Sequence, residues 1–170
     1  MTIHQFSSIL IVDDSGAVRS VVRKLLTQLG FQNIDEAADG EVALAKISEK
    51  HFGLVISDWN MEPMTGQVLL ENVRATKAYA NLPFIMMTAD PSIEKIVQAK
   101  HAGVTCFINK PFRAAELQAK ILQTGTNGQS LATHSGLSNN LLANAHIFGP
   151  PNVRVARSIL RSCDTVSPPR

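Results

Sequence analysis

Five short runs recur along the first 124 residues: Ser8–Val12 (SILIV), Asn33–Ala37 (NIDEA), Leu54–Ser57 (LVIS), Phe84–Thr88 (FIMMT) and Thr105–Asn109 (TCFIN), four of them mostly apolar. An apolar run of this length reads as a strand covered on both faces, as in a parallel sheet. The segments between the runs carry helical period instead. Val18, Val21, Val22, Leu25, Leu26 and Leu29 form one apolar stripe, with Ser15 placed to cap its start and Gly30 just past its end. A second helix opens at Asp39-Gly40 around Val42, Ala43, Leu44 and Ile47, and a third runs from about Gly66 through Leu69, Leu70 and Val73. The fourth follows Pro91, with Ile93, Ile96 and Val97 expected inward and Gly103 closing it; the fifth starts after Pro111-Phe112 and carries Leu117 and Ile121. Strict alternation of strand and helix means βαβ units, hence a doubly wound α/β fold with helices on both faces of a parallel sheet. The (βα)5 count favours the flavodoxin-like strand order 2-1-3-4-5, a fold-level analogy.

Composition narrows the classes. Net charge is +2 and charged residues are 18% of the chain, too few to announce a nucleic-acid binder. That charge is unevenly spread: residues 1–124 hold 12 Lys+Arg against 13 Asp+Glu, while the rest hold four arginines against Asp164 alone. Cys106 and Cys163 are too few for a disulfide scaffold and read as thiols in a reducing compartment. No apolar run approaches the ~20 residues of a membrane span. The first residues lack the basic stretch and cleavage site of a secretory signal, so a cytoplasmic setting without membrane insertion is expected.

In doubly wound sheets, ligands sit beyond the carboxyl ends of the strands. Strand one ends in Asp13-Asp14 and strand three in Asp58, and in the expected order these strands are neighbours. Carboxylates about 4 Å apart repel by about 4 kcal/mol per pair at an effective dielectric of 20. Gathering three there calls for a protonated acid or a bound cation, and a hard divalent ion such as Mg²⁺ suits oxygen ligands. The plainer alternative is that Asp13 and Asp14 cap a helix while Asp58 sits in a turn. Thr88 ends strand four and Lys110 strand five; singly they read as a turn residue and a solvated cation. Together at one edge, a hydroxyl, an ammonium and metal-holding acids form a phosphoryl cradle with an Asp as nucleophile.

The stretches ILIVDDS from Ile9, ISDWNM from Ile56, Met87-Thr-Ala and Asn109-Lys-Pro-Phe resemble the response-regulator receiver domain, in the style of the stand-alone chemotaxis type, over residues 8–122. The resemblance implies that Asp58 accepts phosphate from a histidine kinase or phosphotransfer protein. It implies Mg²⁺ on Asp14 directly, Asp13 through water, Asp58, and the Asn60 backbone carbonyl. Thr88 and Lys110 would contact the phosphoryl group, and Lys110-Pro111 matches the family's cis peptide. Asn60 and Asp90 stand where family members tune hydrolysis of the aspartyl phosphate. Thr88 and Phe107 would form the switch, and a downstream protein would read the face of helix four, strand five and helix five. The sequence departs from the family twice: Phe107 lacks the hydroxyl of the usual Tyr, and Pro63 is displaced by one in the loop Met61–Gly66, where only local turn geometry is expected to differ.

Beyond Gln123 the pattern stops. Residues 125–170 have linker composition followed by a short apolar-basic stretch, Val153–Leu160, and read as a linker and basic tail that is largely disordered or docks on a partner. The leading expectation is a phospho-switch whose chemistry is confined to its own phosphorylation and dephosphorylation. One rival is a transcription regulator contacting DNA through the tail, against which stand four arginines and no helix pair. The other is a Mg²⁺ phosphohydrolase, against which stands the lack of a second acid/base or a substrate cap.

Overall fold

A computed structural model describes residues 7–126. Ten elements alternate along the chain: β1 (Ile9–Val12), α1 (Gly16–Gln28), β2 (Ile34–Ala37), α2 (Gly40–Glu49), β3 (Leu54–Asp58), α3 (Gly66–Ala75), β4 (Phe84–Thr88), α4 (Ile93–His101), β5 (Cys106–Asn109) and α5 (Ala114–Thr126). All four strand pairings are parallel, in the order β2-β1-β3-β4-β5. This is the doubly wound flavodoxin-like sheet that the alternation implied.

Side chains of successive strand residues point to opposite faces, so each strand feeds two cores. Leu10, Val12, Val55, Phe84 and Met86 enter one core together with Ala43, Ile47, Leu69, Leu70, Val73 and Ala99, which places α2, α3 and α4 on that face. Ile9, Ile11, Leu54, Ile56, Ile85, Met87 and Ile108 enter the other with Val22, Leu26, Leu117 and Ile121 of α1 and α5. Residues of β1, β3 and β4 are buried throughout, which is why these strands read as unbroken apolar runs. The edge strand β2 is only half-buried at its middle, and its acids find cations: Lys50 Nζ lies 2.9 Å from Asp35, and Arg19 and Arg23 both bind Glu36.

The helix ends follow local chemistry. Ser15, Asp39, Thr65 and Ser92 each accept the backbone N–H three residues on. Gly30 and Gly103 hold positive φ angles of 91° and 82° just past α1 and α4. After α1, Gly30 N–H donates to Thr27 and Phe31 N–H to Leu26, and α4 ends the same way on Lys100 and Ala99.

Three expectations are revised. Val21 of the α1 stripe is 58% exposed, because the stripe is wider than the surface that the sheet and α5 cover. On α4, Ile93 is 81% exposed and Val97 45%, Ile96 is half-buried, and Ala99 is the residue fully inside. The inward side of α4 thus carries the small Ala99 with Ile96 one turn before it, and Ile93 and Val97 lie off that side. Helix α5 continues through Thr124 and Gly125 to Thr126, past the point where linker composition begins. The tail readings, Val153–Leu160 and Cys163 included, lie outside the described residues. No helix among those described is long and apolar enough to cross a membrane.

Candidate functional site

Register decides which residues meet at the carboxyl edge. Val12 is level with Ser57, so Asp13 follows β1 at the height of Asp58. Asp58 is level with Met87, and Thr88 with Asn109, after which comes Lys110. Residues 13, 58 and 110 continue the alternation that faces α1 and α5; residues 88 and 107 continue the one that faces α2–α4.

The first three form a compact ionic unit. Lys110 Nζ lies 2.7 Å from Asp13 Oδ2 and 2.8 Å from Asp58 Oδ1. The Asp13 side chain is 1% exposed, Asp58 11% and Lys110 21%, so the ammonium closes the outer side of a largely buried acid pair. The other oxygens have donors as well: Ser15 N–H reaches Asp13 Oδ1 at 3.0 Å and Asn60 N–H reaches Asp58 Oδ2 at 3.2 Å. Burial works against the Lys110 charge, but hydrogen bonds and charge from Asp13 and Asp58 outweigh it and raise its pKa above the ordinary lysine value.

Two carboxylates therefore aim hard oxygen donors at one cation. Mg²⁺ takes one or two carboxylates and keeps several waters, so this donor set fits its chemistry. Of the three acids expected here, Asp13 and Asp58 meet on Lys110, while Asp14, the next residue along from Asp13, is exposed. Among the described residues no three acids, histidines or cysteines form a ready-made metal cluster.

Thr88 is buried, and its hydroxyl points into the loop before α4, donating to the Asp90 carbonyl at 3.0 Å and accepting from Asp90 N–H at 3.1 Å. The Asp90 carboxylate is paired at 3.4 Å with Lys95 on α4. Phe107 is half-buried against the α2–α4 core, level with Met86. Lys110–Pro111 is cis, and so is Glu62–Pro63 in the shifted loop. That loop keeps its anchor: Gly66 N–H donates to the Trp59 carbonyl at 2.9 Å, and a Cβ on Gly66 would lie 2.0 Å from the Asp58 carbonyl oxygen.

Sequence reasoning missed the support behind the acids. Arg19 Nη1 donates to the Asp13 carbonyl at 2.6 Å and to that of Asp14 at 3.4 Å, while its Nε donates to Glu36 Oε2 at 3.1 Å. The signal was present as two arginines four apart on α1 and one strongly polar strand to receive them.

Comparison with known proteins agrees with the geometry. The family profile of the response regulator receiver domain matches residues 9–122. The chemotaxis protein CheY-3 of Vibrio cholerae is 46% identical over 113 residues, which span 66% of this chain and 87% of that protein. The chemotaxis protein CheY of Pseudomonas aeruginosa is 43% identical over 66% of this chain and 91% of its own length. Among solved structures, V. cholerae CheY4 superposes with a TM-score of 0.67 at 35% identity, covering 70% of this chain and 98% of that one. The receiver domain of a P. aeruginosa sensor histidine kinase, solved with a magnesium ion in its active-site cleft, gives 0.63 at 25% identity over 68% and 94%. With the sheet order and these likenesses in agreement, the chain belongs to the response regulator receiver domain family, whose members serve signal transduction.

Proposed function

We propose that this protein is a Mg²⁺-dependent phospho-switch that takes a phosphoryl group on Asp58 from a histidine kinase or phosphotransfer protein, in chemotaxis or a related phosphorelay. The observation that carries the reading is the pairing of Asp13 and Asp58 on one ammonium at the carboxyl edge of the sheet. A carboxylate oxygen of Asp58 would form the new P–O bond as the donor's bond to phosphorus breaks and its leaving group takes up a proton. Asp13, Asp14, Asp58 and the Asn60 carbonyl would hold Mg²⁺, which supplies charge neutralisation at the phosphoryl oxygens.

The chain's own residues do the rest. The Asn60 N–H and the Lys110 ammonium, both already on Asp58, are placed to follow the negative charge onto the transferred group. Phosphorylation adds roughly −1.5 to −2 charges. Thr88 reaches that charge only by releasing Asp90, so the phosphoryl group and the loop leading into α4 compete for one hydroxyl. Phe107 lies on the same face, and its movement into the vacated space would remodel the α4–β5–α5 surface for a downstream protein. Such a protein catalyses its own phosphorylation and dephosphorylation and turns over no other substrate.

Trp59, the single tryptophan, is 6% exposed and adjoins Asp58. Its fluorescence should change saturably when beryllofluoride is added with Mg²⁺, and the beryllofluoride step should vanish in Asp58→Asn. No response from folded wild-type protein would contradict the proposal.

A further inference from the structure

The main chain of the Asp13-Asp14 turn is gripped from behind. Arg19 is 19% exposed, and its guanidinium meets three oxygens at once: the consecutive carbonyls of Asp13 and Asp14 and one carboxylate oxygen of Glu36. The other Glu36 oxygen is held by Arg23, which also donates to the Ile34 carbonyl at 3.0 Å. A staple between α1 and β2 needs only the Glu36 contacts. The reach of Arg19 to both turn carbonyls goes further, because the direction of each carboxylate follows from the main chain that carries it. Mg²⁺ demands near-ideal octahedral geometry, so small rotations of this turn matter to it more than to a looser cation. A lysine could not replace the fork, since a single ammonium cannot hold two carbonyls and a carboxylate in fixed directions.

We infer that Arg19, aimed by Glu36, is a positioning residue for the Asp13-Asp14 turn and sets its affinity for a divalent cation. The inference rests on the proposed Mg²⁺ site and adds to it a support that reaches the Asp13-Asp14 turn from the neighbouring edge strand β2.

Isothermal titration of the full chain with Mg²⁺ at fixed ionic strength tests it, under conditions where circular dichroism shows every variant folded. Arg19→Lys and the near-isosteric Glu36→Gln should each weaken Mg²⁺ about tenfold, the low end of what outer-shell partners contribute. The double variant should lie within about twofold of the weaker single, because both changes remove one device. Lys50→Gln, which breaks a different ion pair on β2, should bind as wild type. A pure charge effect predicts the opposite pattern: Arg19→Lys unchanged and Arg19→Gln tighter, since a cation beside the site has been removed. That pattern, or a lowered unfolding midpoint with unchanged Mg²⁺ affinity, would overturn the inference. Absence of saturable binding in the wild type would instead overturn the proposed Mg²⁺ site, and the inference with it.

Discussion

At the scale of single residues, the site is governed by one ammonium serving two buried acids. Asp13 and Asp58 leave the unit with a net negative charge, so neutralising one acid relieves repulsion without emptying a cavity. Asp58→Asn should therefore leave urea stability in Mg²⁺-free buffer unchanged or raise it by about 1 kcal/mol, since Lys110 offsets most but not all of the repulsion between two close carboxylates. A loss of stability would mean that the pair is held by Asp58 rather than strained by it. Lys110→Ala should behave oppositely and destabilise, because it strands the buried Asp13 carboxylate. Gly66 is the second residue under tight constraint. Gly66→Ala would drive a methyl into the Asp58 carbonyl, with roughly 3 kcal/mol or more lost on denaturant unfolding, the upper range for overpacking. An alanine variant of wild-type stability would show that the loop has room to move.

The acids, the threonine and the lysine could be found in the sequence because each directly follows an apolar run, and the strand order brings those ends together. Arg19 could not be found in that way. Its role depends on the register Ile11↔Glu36, a pairing between β1 and the one strand with polar residues at its centre. The Thr88 hydroxyl is a similar case: the type and position were legible, whereas its engagement with Asp90 depends on the path of the loop.

At the scale of elements, legibility followed burial. Strands β1, β3 and β4 announced themselves because both their faces are covered, and α1 because capping serine, apolar stripe and terminal glycine coincide. Helix α4 departs from its expected face at Ile93 and Val97, while Ile96 is half-buried: apolar residues at helical spacing mark a surface that avoids water, and only packing says which neighbour provides it. Ile93 and Val97 have none within the described residues that buries them fully. With Ala99 as its fully buried residue, α4 should open locally at the lowest free energy of the five helices, and its amides should exchange fastest after their fraying first turns are set aside. Slower exchange in α4 than in α3, which buries Leu69, Leu70 and Val73, would contradict this.

The tie between α1 and β2 carries a pH signature. Hydrogen bonding from Arg23 holds the Glu36 carboxyl below its ordinary pKa, against the opposing effect of its partial burial and with further help from Arg19. A depressed folded-state pKa contributes stability above the unfolded value of about 4.3 and loses it as pH falls through the folded value. Glu36→Gln should therefore be less stable than wild type at pH 7, with the difference closing below about pH 4. A gap that persists or widens in acid would remove the ion pair as its cause.

At the scale of the whole molecule, the sheet divides the labour. The face toward α1 and α5 carries the acids and Lys110, and the face toward α2–α4 carries Thr88 and Phe107. On the proposed function, chemistry and response lie on opposite sides of one sheet edge. Phe107→Ala should leave phosphorylation nearly intact while weakening the binding of a protein that prefers the phosphorylated form; loss of phosphorylation in that variant would break the proposed division.

On the proposed function, Asp58 accepts a phosphoryl group with the help of Mg²⁺. Intact-mass analysis after incubation with a small acyl phosphate tests it most directly, with and without Mg²⁺, on wild type and Asp58→Asn. One phosphoryl group should be added to the wild type only when Mg²⁺ is present, mapped to Asp58, and none to the variant. Addition at another residue, or none from folded wild type with Mg²⁺, would contradict it.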